Sequence, residues 1–142
     1  MSEVSLRRNV VWIVCEDGDR WYRAVCRFVP PLLGSEDRLR ISRWGTEPTK
    51  AVMARIKTTN GRAILLWELA SRGVADLAGQ LDSIATIRSE AAGAVQIAWL
   101  PPTAAPELCL AAREAGIGIF VDSPACLQRV AEIVTRQLSP LG

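Results

Sequence analysis

The chain has no histidine. That removes the usual general base, the partner that activates a serine or cysteine nucleophile, and the commonest metal ligand. Its cysteines, Cys15, Cys26, Cys109 and Cys126, lie far apart and no pair has CxxC spacing. A zinc site is therefore not expected. Three of them sit inside apolar periodic segments, where a reduced thiol packs as a small hydrophobe. There is no Gly-rich phosphate loop of the GxGxxG or GxxxxGKS kind. No apolar run approaches the ~18 residues of a membrane helix. Arg7 and Arg8 precede an apolar run, but it is short and ends on Glu16-Asp17, not on a small-residue cleavage site, so no signal peptide is read. Charge of one sign is lacking too. The net charge is +2 and both signs are scattered, without the basic stripe of a nucleic-acid binder. These absences point to a soluble, reduced, cytoplasmic protein with neither nucleic acid nor membrane as partner.

What is present is a regular alternation of two periods. Val10–Cys15, Ala63–Trp67, Val95–Leu100 and Ile117–Val121 are short apolar runs. The first three of these lack clean alternation, as in strands buried on both faces of a parallel sheet. Leu39–Trp44 alternates apolar with polar, which suits an edge strand. Between the runs lie helical spacings. Trp21, Ala24, Val25, Phe28 and Val29 form one, with Asp19 placed to cap it and Pro30-Pro31 to stop it. A second starts after Thr46, with Pro48 near its first turn and Val52 and Ile56 inside. Val74, Leu77, Ala78, Leu81, Ile84 and Ala85 form a third. Leu108, Ala111, Ala112 and Ala115 form a fourth, ended by Gly116. Leu127, Val130, Ala131, Val134 and Leu138 form a fifth. The order (βα)5 predicts five parallel strands with helices on both faces, in the doubly wound order 2-1-3-4-5. A chain of 142 residues suits one domain, with its core over 10–138 and no room for an output domain.

In such a sheet, function gathers at the carboxyl ends of the strands. Strand one ends in Glu16-Asp17, strand three in Glu68, strand four in Pro101-Pro102, strand five in Asp122-Ser123-Pro124. Strands one and three are neighbours, so Glu16, Asp17 and Glu68 are expected to converge on one pocket. Close like charges raise one another's pKa or recruit a cation such as magnesium. The plainer reading is three solvated acids. Trp12, Trp21, Trp67 and Trp99 read as core. Arg20, Arg23 and Arg27 share one flank of the first helix and read as a solvated face, with an acidic partner second.

From Val10 to Leu138 the chain resembles a response-regulator receiver domain, of flavodoxin-like fold. IVCEDGD resembles the first strand with its acidic pair, at Glu16 and Asp17. AILLWELASRG resembles the third strand, where the family places its phosphate-accepting aspartate; Glu68 stands there. REAGIGIFVDSP resembles the approach to the fifth strand and the lysine-proline dipeptide after it, with Gly116 and Pro124 matching. Pro101 falls at the switch threonine or serine, Phe120 at the switch aromatic, and Ser123 at the lysine.

The resemblance implies a phosphorylation pocket, and the departures from it imply a degenerate one. In-line attack on phosphorus needs an acceptor held by a metal and a cation. Glutamate carries its oxygen one methylene too far, Pro101 has no side-chain donor, and Ser123 brings no charge. Glu68 is then a relic acid, solvated or bound to a backbone amide, or else a phosphate mimic. Ser123 or Asp122 can instead cap the fifth helix, with Pro124 at its first position. The expectation is a stand-alone pseudo-receiver with no catalytic residue and no cofactor, binding magnesium weakly at most through Glu16, Asp17 and Glu68. It would act by contact with an unidentified protein or by homodimerising, through Leu110 and Phe120. An atypical but phosphate-accepting receiver is the first rival, and a small-molecule-binding α/β protein the second.

Overall fold

The β-branched run near the start forms β1 (Arg8–Cys15), and four more strands follow: β2 (Asp37–Arg43), β3 (Ala63–Glu68), β4 (Val95–Trp99) and β5 (Ile119–Phe120). The computed structural model describes residues 8–34, 37–45, 48–58, 62–69 and 74–138. All pairings are parallel, in the order β2-β1-β3-β4-β5. The helices are α1 (Arg20–Phe28), α2 (Thr49–Lys57), α3 (Val74–Glu90), α4 (Pro106–Ala115) and α5 (Leu127–Leu138). The sheet order is the one expected from the (βα)5 pattern.

Each apolar run feeds both faces of the sheet, which is why it does not alternate. Val10, Trp12 and Val14 of β1 join Ile64 and Leu66 of β3 beneath α1 and α5. Ile13 and Cys15 join Leu65 and Trp67 beneath α2, α3 and α4. Burying each large aliphatic side chain favours the fold by about 1.5–3 kcal/mol. Gln96, the one buried polar residue among the described residues, stitches the second layer. Its Oε1 accepts from Trp67 Nε1–H at 2.9 Å, and its Nε2–H donates to the Ile84 carbonyl at 3.0 Å.

Several local expectations shift. β5 is shorter than the run Ile117–Val121. The Ile117 N–H bonds the Ala112 carbonyl at 3.0 Å, so Ile117 closes α4 instead of starting the strand. In α3, Ile87 is buried and Ala85 exposed, because the inward face continues from Ile84 by three residues and not one. None of the cysteines is in a disulfide; Cys15 is buried and Cys109 half-buried, while Cys26 and Cys126 are exposed. The side chains of Val74 and Leu138, and all of Thr46 and residues 70–73, lie outside the described residues. No helix among the described residues is long and apolar enough to cross a membrane.

Candidate functional site

The carboxyl end of the sheet is built from the loop after β1, the end of β3 and the end of β4. Glu16 follows β1 directly and turns towards the start of α1. Its Oε1 accepts from the Trp21 N–H at 2.9 Å, and its Oε2 from the Tyr22 N–H at 2.7 Å. These are two of the amide groups that a helix start leaves unsatisfied. A carboxylate there is favoured by hydrogen bonding and by the helix dipole. Asp19 occupies the cap position but makes no side-chain cap bond; it pairs with Arg23 at 2.8 Å. Glu16 therefore does the capping expected of Asp19. Asp17, the next residue, is exposed.

Glu68 ends β3 directly opposite Trp99, the last residue of β4. Its carboxylate meets the Arg20 guanidinium at 3.3 Å. That guanidinium lies 4.9 Å from the Trp99 ring centre and 5.3 Å from that of Trp21. Trp99 is held in place by its Nε1–H, which donates to the Asp122 carbonyl at 3.1 Å. Glu68 is anchored through its own carbonyl, which accepts from Gln80 Nε2–H at 3.1 Å. Arg20 is thus not a merely solvated residue of the α1 flank. It is a resident cation between an acid and two indoles. Glu68 is not solvated alone: its side chain is ion-paired, and among the described residues no backbone amide binds it.

Arg20 is half-exposed, so the ion pair contributes only about 0–1 kcal/mol and the indole contacts about 0.5–1 kcal/mol more. Their effect is chemical. The Glu68 carboxylate is met by a guanidinium from the same chain, which competes with any other cation for its Oε2. On the far side, Arg43 lies 4.4 Å from the Tyr22 ring centre and donates to the Gly18 carbonyl at 3.3 Å. Two arginines therefore bracket the loop that carries Glu16 and Asp17.

Magnesium, which the receiver resemblance implies, does not fit these residues. Both oxygens of Glu16 accept backbone N–H groups, and Glu68 faces a positive charge. Among the described residues no group of three or more His, Cys, Asp or Glu could hold a metal ion. The expected convergence of Glu16, Asp17 and Glu68 into a ligand set is absent for that reason.

The other expected positions are dispersed. Pro101 opens the turn after β4, where its carbonyl accepts the Ala104 N–H at 2.9 Å. It is Trp99, two residues earlier, that the register sets beside Glu68. Ser123 does not cap α5. A 3-10 turn, Pro124–Cys126, intervenes, and the Ser123 hydroxyl lies 3.4 Å from Cys126 Sγ. Phe120 is half-buried against the second layer, with the Arg113 guanidinium 5.2 Å from its ring centre. Leu110 is 58% exposed. Trp12, Trp21 and Trp67 are core, whereas Trp99 is half-buried and belongs to the site. The signal for Trp99 was available: a strand-end tryptophan, and an arginine in the first turn of α1.

No protein-family model matches the chain, and no curated protein matches it. Solved structures do. A pilus assembly-related protein from Burkholderia pseudomallei is 18% identical, with a TM-score of 0.63 over 94% of this chain and 92% of its own. A CheY-like protein, TadZ, from Pseudomonas aeruginosa is 14% identical, with a TM-score of 0.70 over 94% of this chain and 99% of its own. The signal receiver domain of the response regulator NarL from Mycobacterium tuberculosis is 14% identical, with a TM-score of 0.59 over 90% and 98%. With five parallel strands in the order β2-β1-β3-β4-β5 and these likenesses together, the chain has the CheY-like, flavodoxin-like fold of response-regulator receiver domains.

Proposed function

We propose that this chain is a pseudo-receiver: a cytoplasmic signalling or regulatory module that acts by contact with another protein and does not accept phosphate. The observation that carries this reading is Arg20, lodged against Glu68 over Trp21 and Trp99. Transfer to Glu68 would have to displace that guanidinium, reach an acceptor one methylene too long, and proceed without the lysine that Ser123 replaces. With a cation of the same chain already at Glu68, this reading needs no second, phosphorylated arrangement. A module with one state has its function in its surface, and Leu110 with Phe120 is the apolar part of that surface on α4 and β5. The pilus assembly-related neighbour suggests the parts of such a machine as the first partners to try.

The test is incubation with acetyl phosphate and magnesium, followed by intact-mass spectrometry. The mass should stay unchanged. A hydroxylamine-labile gain of one phosphoryl group would overturn the proposal and favour an atypical but active receiver.

A further inference from the structure

β2 is an edge strand whose two faces differ. Leu39 and Ile41 pack on the layer beneath α1 and α5. Arg38 and Arg40, on the opposite face, are exposed. α2 buries Val52, Met53 and Ile56 against β1 and β3, and no residue of β2 joins that cluster. The gap is a cavity of about 330 Å³, whose polar lining comprises Asn9, Arg38, Arg40, Ser42, Arg55 and Thr58. No carboxylate lines it, and the guanidinium groups of Arg38 and Arg40 have no ion pair or hydrogen bond among the described residues. It lies beside the first half of β1, away from the carboxyl ends that carry Glu16 and Glu68.

We propose that this cavity and the β2 edge dock an extended acidic segment of a partner protein. No strand lies outside β2 among the described residues, so its outer edge can accept an added strand through backbone hydrogen bonds. Residues i and i+2 of a strand stand about 6.6–6.8 Å apart on one face. Arg38 and Arg40 have that spacing, and so do alternate side chains of an added strand. Alternating carboxylates would each meet a guanidinium, whose planar fork binds them with two hydrogen bonds. A second copy of this chain is the wrong occupant, because its β2 would set arginine against arginine. A net charge of +2 gives little general attraction for polyphosphate. The surface is separate from Leu110 and Phe120, and its use does not depend on whether Glu68 accepts phosphate.

The test is fluorescence anisotropy with a capped, fluorescein-labelled peptide that alternates threonine and glutamate. A threonine–lysine peptide and an oligothymidylate of matching charge serve as controls. Saturable binding of the glutamate peptide is expected, weakened by added salt. The exposed double variant Arg38→Glu, Arg40→Glu should keep its circular dichroism and lose about tenfold or more in affinity, the scale of a lost charge-assisted contact. Arg129→Glu, an exposed charge reversal on α5 outside the cavity, should bind as the wild type does. The proposal is overturned by absence of saturation, by equal affinity in the double variant, or by tighter binding of the oligothymidylate.

Discussion

Glu16 and Gln96 show how much one polar side chain can settle. Glu16 was legible as a strand-end acid. Its role was not, because the choice between Glu16 and Asp19 as cap depends on how the loop between them turns. Two charge-assisted bonds from Trp21 and Tyr22 decide it. Glu16→Ala should lower unfolding free energy by about 0.5–2 kcal/mol, the usual worth of a helix cap. Asp19→Ala should cost less, since it loses only an exposed pair with Arg23. Urea unfolding followed by tryptophan fluorescence measures both. Gln96 carries no sequence signal beyond one polar residue in an apolar run. Gln96→Leu would strand the buried Trp67 Nε1–H and should cost about 1–3 kcal/mol in the same experiment. A loss below that of Asp19→Ala would show that the Gln96 bonds are dispensable.

At the scale of elements, the short apolar runs were legible because each must fill both faces of the sheet. The junctions were not. β5 loses Ile117 to the end of α4, and α5 starts only after a 3-10 turn, since both depend on hydrogen bonds between neighbouring elements. Gly116 marks the first of these junctions. Its φ is +146°, and a Cβ there would lie 3.0 Å from Arg88 Cβ and 3.3 Å from Gln96 Nε2. Gly116→Ala should therefore destabilise by about 1–3 kcal/mol. Gly118, whose nearest such atom is 4.0 Å away, should tolerate alanine much better. Thermal unfolding of the two variants side by side checks the difference. Equal midpoints would remove the strain assigned to Gly116.

The whole molecule leans on arginine. Only two of its 17 basic residues are lysine, and arginines lie over Trp21, Trp99, Tyr22, Phe28 and Phe120. A guanidinium can bind a carboxylate at its edge and an indole at its face together, which is what Arg20 does. Composition made a fixed charge pair conceivable, but the pairing crosses 48 residues of sequence and only the parallel register brings it about. Beyond that pocket, α4 exposes Leu110, a large apolar side chain on an outer helix. If that face is a contact surface, Leu110→Glu should keep the circular dichroism of the wild type and abolish self-association or partner capture. A wild type that is monomeric by light scattering, with the same captured partners in both proteins, would dismiss this face.

Calorimetric titration with magnesium tests most directly whether the acids at the sheet end are already committed within the chain. With Glu16 capping α1 and Arg20 on Glu68, the wild type should give no saturable heat in the millimolar range. Tight, saturable binding that disappears in Asp17→Ala would contradict a closed site and restore the metal-binding pocket of a working receiver.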